Sequence, residues 1–282
     1  MTARDQVPDG AATVWQRAVR ARERADREEQ LADKHEAIAT ETRTELHFRM
    51  AYIHRTTAAR HRVTADLLEA HAVRTAEWTR RGGPPPLFMT GVAEACDTAS
   101  VAVTLIDADS NQLAAAASDE PARHAQDLEY ALGEGPARDA VAALVPVAAS
   151  GTALRARWPG YGPAIESLGI GRVVAVPLQV PGDCVGALAV FDPRSATTDI
   201  TRFVWVADAL TRSFILGRDA GDGLLGEIDH RPEVHQAAGM VSVQMGCHVS
   251  DALELVKARA FADSRTVGEV ARDIVAGLLK LG

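Results

Sequence analysis

The chain has 282 residues, 47% hydrophobic and 24% charged, with a net charge of −8. That composition fits an ordinary soluble fold, and the acidity argues against a protein that coats DNA indiscriminately. No apolar run of about 18 residues occurs, so no membrane span is expected; "MTARDQVPDG" lacks the basic start and apolar run of a secretory signal, and the cytoplasm is the expected compartment.

Charge is distributed unevenly along the chain. Residues 1–81 hold 15 Arg/Lys and 13 Asp/Glu, residues 82–223 hold 9 and 17, and residues 224–282 hold 6 and 8. From Ala11 to Arg81 there is neither Gly nor Pro, and good helix formers dominate. A single helix of that length would span on the order of 100 Å, so one or two long helices are expected, folded back near "ATETRTE" (39–45). The apolar series Leu46, Met50, Ile53 and Leu67 is interrupted by Thr57 and Arg60, a poor heptad. Self-association is the expected use. His47, His54 and His61 recur every seven residues, but two helical turns separate them by about 10 Å, too far for one ion. They are read as surface histidines.

"RGGPPPL" (81–87) breaks the pattern and opens a segment with strands. "SVAVTLID" (100–107) alternates as a strand does, and "GRVVAVPLQV" (171–180) and "CVGALAVFD" (184–192) flank the turn "PGD", a hairpin signature. Helices are expected around 86–97, 135–144, 160–168 and 199–217. Strands mixed with helices read as an α+β fold. Cys96, Cys184 and Cys247 are odd in number and far apart, which favours buried hydrophobes over a disulfide framework or a zinc site. No phosphate-loop, metalloprotease or nucleophile-elbow motif occurs, so an enzyme is not expected, nor is a metal or cofactor.

"RDAGDGLLG" (218–226) is a second break, followed by three expected helices. In "VHQAAGMVSVQMG" (234–246) the residues Val234, Ala237, Ala238, Val241 and Met245 form one stripe, and Gly246 is a usable stop. Ser250 is the expected cap of the second helix, where Ala252, Val256 and Ala260 recur at helical spacing. "TVGE" (266–269) is a capping-box pattern opening the third, with the stripe Val267, Val270, Ala271, Ile274 and Leu278.

The stretch "RPEVHQAAGMVSVQMG…DALELVKARAFADSRTVGEVARDIV" (231–275) resembles the ANTAR family, the RNA-binding output module of bacterial transcription antiterminators. "LGEGPARDA" (132–140), "RWPGYGPAI" (157–165), "VAVPLQV" (174–180) and "VGALAVFD" (185–192) resemble the GAF sensory domains joined to ANTAR in actinobacteria. Composition and the two breaks mark a helical, coiled-coil or dimerisation segment at 1–81 and a linker at 218–226; the resemblance implies a GAF-like antiparallel sheet flanked by helices at 82–217 and an ANTAR-like three-helix module at 227–282. It further implies a homodimer with no membrane partner, a small-molecule pocket in the GAF-like part, and binding to paired hairpins of a leader transcript. RNA contacts are then expected from Arg231, His235, Gln236, Gln244, Lys257, Arg259, Arg265 and Arg272, and Glu134, Arg157, Trp158 and Tyr161 are the candidate pocket residues. One departure matters: ANTAR domains commonly carry Ala-Lys-Gly in the first helix, where this chain has Ala237-Ala238-Gly239. Ala238 cannot reach a phosphate as a lysine would. The competing expectation is a protein-interaction or dimerisation module that binds no RNA; clustering of the basic residues on one face would favour RNA, and their pairing with carboxylates would favour interaction.

Overall fold

The computed structural model describes residues 10–82, 86–107, 112–194, 200–215, 232–263 and 265–281, so the expected linker 218–226 and Arg231 lie outside the described residues. The architecture is α+β. Two compact units are present: Met1–Asp97 with Leu178–Gly182 and Ser195–Glu227, and Thr98–Pro177 with Asp183–Arg194 and Ile228–Gly282. Among the described residues no helix is long and apolar enough to cross a membrane.

In the first unit, α1 (Ala11–Thr42) and α2 (Glu45–Arg81) form an antiparallel pair. The chain reverses at Arg43, φ 52°, whose N–H bonds Ala39 O at 2.8 Å, within the fold-back expected at 39–45. The pairing overturns the view of a poor heptad, because the seam is made of alanine. Val14, Ala18, Ala21, Ala25, Ala32 and Ala39 of α1 are buried, as are Ala51, Ala58, Ala65, Leu68 and Ala72 of α2. Glu28 and His35 fill the remaining steps of four and three in α1. Small side chains at that spacing let two helices pack closely over their length.

The seven-spaced histidines fall on this seam and are part-buried, not free on the surface. His35 Nδ1 lies 2.8 Å from His47 Nδ1, the His35 ring stacks on His54 at 5.3 Å, and His54 Nδ1 meets Glu28 Oε2 at 2.7 Å. One flank of the pair is ionic: Arg22 binds Asp66 (3.0 Å) and Glu69 (2.6 Å), and Arg55 binds Glu29 (2.7 Å) and Glu36. The other line on α2 divides, with Leu67 buried and Leu46 and Ile53 exposed. The unit is completed by α3 (Phe88–Ala95), where Phe88 packs edge-on against His71, and by α8 (Ile200–Ala209), which continues as π-helix over Leu210–Ile215.

The five-stranded sheet has the order β2-β1-β5-β4-β3. Its strands are β1 (Ser100–Ile106), β2 (Gln112–Ala117), β3 (Val147–Ser150), β4 (Arg172–Val180) and β5 (Asp183–Phe191). β1, β4 and β5 occupy the runs expected from the sequence. β2, "QLAAAA", and β3, "VAAS", were not expected, because alanine has little intrinsic strand preference. β1 pairs antiparallel with β2 and β5, and β3 with β4. Gly186 permits the β1–β5 approach, since a Cβ there would stand 1.9 Å from Thr104 O.

Four helices lie beside the sheet: α4 (Glu120–Leu132), α5 (Pro136–Ala143), α6 (Thr152–Arg157) and α7 (Tyr161–Ser167). Leu154, Trp158, Tyr161 and Ile165 pack with Val173, Ala189 and Phe191 in one core. The same unit contains α9 (Pro232–Met245), α10 (Val249–Ala262) and α11 (Val267–Val275). Val234, Ala237, Val241, Ala252, Val256, Ala260, Val267, Val270, Ala271 and Ile274 make their common core.

The three stripes are largely those expected, with two corrections: Met245 is 46% exposed and Leu278 79% exposed, beyond the faces their helices bury. Gly246, at φ 63°, does follow α9. Ser250 is not a cap; it lies inside α10, whose N-cap is His248 without a side-chain bond. Thr266 and Glu269 do form the expected capping box.

Candidate functional site

A cavity of about 280 Å³ opens between the β1–β2 edge of the sheet and helices α4 and α5, at the small end of the range for ligand pockets. A register shift between Leu105 and Ile106 sets Ile106 opposite Gln112, and both line the cavity. Such bulges re-aim side chains at a sheet edge. Gln126, Glu129 and Tyr130 come from α4 and Gly133 from the residue that ends it, spaced so that they share one helical face. α4 owes its position to Asp119, which accepts from Ala122 N at 3.0 Å, and to Gly133 at φ 68° just past its end.

Two carboxylates bridge the short helices. Glu129 Oε1 accepts from Arg138 N at 2.8 Å, satisfying a free amide of the first turn of α5. Glu134 Oε1 accepts from Gly160 N (2.6 Å) and Tyr161 N (2.8 Å) at the start of α7. Glu129 is only 3% exposed, and its Oε2 has no partner. Burial, only partly offset by the bonds from the Arg138 and Ala137 amides, pushes its carboxyl up to about 7. Gln126 Oε1 accepts from the Thr104 hydroxyl, while its Nε2 and the Nε2 of Gln112 are buried without a partner. Gln112, Gln126 and Glu129 line the cavity, while these two amide nitrogens and Glu129 Oε2 are themselves closed off from solvent. Glu134, Arg138 and Asp139 also line it, with Glu134 engaged by the α7 amides and Asp139 by Arg157 and Trp158.

Of the four pocket residues expected from sequence, only Glu134 lines this cavity. Trp158 and Tyr161 are buried in the core, edge to face at 6.1 Å. Trp158 Nε1 donates to Asp139 Oδ2 (3.2 Å), as does Arg157 Nε (2.9 Å), and the Arg157 guanidinium lies 5.2 Å over the Trp158 ring. These three hold a loop onto the core. Gln112, Gln126, Glu129 and Tyr130 were missed, because nothing local in the sequence marks a residue whose neighbours come from other elements of the fold.

On the C-terminal helices the basic residues separate into two places. Lys257 Nζ sits 4.5 Å over the ring of Tyr130 on α4 and 2.9 Å from Glu254 Oε1, with only 12% of its side chain exposed. The second place is the α10–α11 corner. There Arg259 binds Asp263 at 2.6 Å, Arg265 binds Asp273 at 2.8 Å, and Arg272 Nε donates to Gly268 O at 3.3 Å. These charges form one network: Arg265 feels Asp273, Glu269 and Asp263, and Glu269 feels both Arg265 and Arg272. The Thr266 bonds, aided by these arginines, hold the Glu269 carboxyl below its ordinary value. His235, Gln236 and Gln244 are exposed on α9, and Ala238 is buried. The corner thus both clusters Arg259, Arg265 and Arg272 and pairs two of them with carboxylates.

Among the described residues no group of three or more His, Cys, Asp or Glu is arranged to hold a metal ion. Burial pushes the Cys96 thiol up to about 12, well away from thiolate chemistry. Neither a protein-family model nor a curated protein matches the chain.

Proposed function

We propose that this chain is a cytoplasmic, signal-responsive regulator that binds hairpins of a leader RNA through α9–α11 and promotes transcription antitermination. The observation that carries this reading is the arginine corner. Arg259 on the last turn of α10, Arg265 in the connection and Arg272 on α11 are exposed and joined in one charge network. Exposed ion pairs with carboxylates hold weakly, so phosphate oxygens can replace Asp263 and Asp273 at little cost. Gln236, Gln244 and His235 add neutral hydrogen-bonding reach for unstacked bases. The sheet, with the cavity beside α4, is the sensor. The exposed Leu46, Phe48, Tyr52 and Ile53 of the helical pair are the surface on which two copies associate.

The test is crosslinking in the native cell followed by RNA sequencing, with the triple variant Arg259→Ala/Arg265→Ala/Arg272→Ala beside wild type. Transcripts with paired hairpins before terminators should be enriched by wild type and lost in the variant. With purified RNA, each lost phosphate contact should flatten the log–log salt dependence by roughly 0.7–0.9. Equal enrichment by both proteins would refute the contact surface, and no enrichment by wild type would refute antitermination. A second reading, a protein-interaction module, draws on Val243 and Phe261, 85% and 65% exposed on the same helices, and on the carboxylates that already pair the arginines. A protein partner retained by the triple variant and lost on Phe261→Ser would favour it.

A further inference from the structure

The loop end of the α1–α2 hairpin carries ionisable side chains that the function proposed above does not use. Glu28 and His35 of α1 meet His47 and His54 of α2 in the seam. The layers between them are alanine: Ala32, Ala39, Ala51 and Ala58 are all buried. A methyl removes little apolar surface from water, so the polar layers weigh heavily in closing this end. The far end is built differently, with Leu67, Leu68 and Phe88 buried.

His35 is held on both sides. Its ring stacks on His47 at 5.1 Å and on His54 at 5.3 Å, and its Nδ1 lies 2.8 Å from His47 Nδ1. Turning from one neighbour brings it against the other. Two facing Nδ1 atoms form a hydrogen bond only when one carries a proton and the other is bare. A proton added to the bare nitrogen sets two donors face to face. It breaks the bond and leaves a cation beside the other imidazoles.

The surrounding charges do not offset that cation. The groups felt at His35 are His47, His54 and Lys34, none of them an anion. The Glu28 carboxylate is taken by His54 at 2.7 Å, and Glu29, Asp33 and Glu36 are taken by Arg55. Burial first, and then those three neighbours, hold the His35 imidazole below its ordinary 6.5. The open hairpin therefore takes up a proton that the closed one resists, and opening is favoured as pH falls below 6.5.

We infer that the loop end of the hairpin is an acid-released clasp: His35, stacked between His47 and His54, closes residues 32–58 while the His35–His47 contact holds a single proton, and a second proton there parts the two helices. The far end, where His71 meets Phe88 of α3 and Arg22 binds Asp66 and Glu69, stays closed. The clasp depends neither on RNA binding nor on the cavity beside α4.

The test is amide hydrogen exchange on the full chain at about pH 7.5 and about pH 5.5, on either side of the ordinary imidazole titration. Each rate is divided by the random-coil rate at the same pH. A short helical end without a partner is marginal in water, so parting the helices exposes their amides. In wild type, acid should cost residues 32–58 several-fold of their protection, far more than residues 62–70. His35→Gln can still donate to His47 and takes up no proton; it should remove the pH effect at 32–58. His47→Gln should do the same, and decides where His35→Gln does not fold. Protection at 32–58 that is equal at the two pH values, that falls evenly along both helices, or that falls as far in the folded Gln variants as in wild type would overturn the inference.

Discussion

Replacing Glu129 by Gln should change how stability depends on pH. In the folded protein the Glu129 carboxyl titrates at about 7, against an ordinary value of 4.5, because burial disfavours its charge. Between those values the folded state keeps a proton that the unfolded chain releases. Stability therefore falls as pH rises from 4.5 to about 7 and levels off above. At about 1.4 kcal/mol per pKa unit the loss is on the order of 3 kcal/mol. His35 and His71 act in the opposite sense. Burial, then neighbouring positive charge, holds both below their ordinary 6.5, so their unfolded forms keep the extra proton and their contribution to stability rises with pH up to 6.5. The wild-type profile mixes these effects; its difference from Glu129→Gln isolates the carboxyl, since the neutral amide keeps an acceptor for Arg138 N. Thermal or urea unfolding of both proteins from pH 4.5 to 8 should show the variant gaining on wild type through pH 7. A stability difference independent of pH would refute the assignment of a protonatable, buried Glu129.

Three further substitutions test the frame around the site. Thr266→Ala removes one half of the capping box that opens α11 and should cost about 1 kcal/mol, seen as faster amide exchange through Val267–Val275. Gly186→Ala would bring a Cβ to 1.9 Å from the backbone oxygen of Thr104; the β1–β5 pairing should fail, and the protein should lose its cooperative unfolding transition. Gly135→Ala sets a Cβ 2.6 Å from Glu129 Cδ and should displace the carboxylate from α5, abolishing the pH difference between wild type and Glu129→Gln when built into both.

Local signals carried much of the fold. The hairpin β4–β5, the reversal near 43 and the Thr266–Glu269 box each depend on residues close in sequence, and each is where the pattern put it. The alanine seam was hidden because a search for heptads weighs leucine and isoleucine, and Leu46, Met50, Ile53 and Leu67 define a different face of α2. Ser250 looked like a cap, but the helix begins at Val249 with His248 in the cap position, two residues earlier. The cavity was harder to read. Glu129 finds Arg138 nine residues on, Gln126 on α4 finds Thr104 on β1, and Tyr130 meets Lys257 from more than a hundred residues away. Pairing at four-residue spacing, as for Arg259 and Asp263, is legible from a helix; Arg265 with Asp273 needs the turn between helices.

The seam of α1 and α2 has a consequence for how this hairpin varies. Ordering an alanine costs no side-chain entropy, and each methyl contributes little, so the pairing is spread evenly over Ala18, Ala21, Ala25, Ala32, Ala51, Ala58 and Ala65. Exchange of any one for Ser removes almost nothing, whereas Leu or Phe at the same place wedges the helices apart by its own width. Tolerance along the seam is one-sided. Variation there is bounded by volume from above, and the hairpin behaves as a gauge of side-chain size rather than of hydrophobicity.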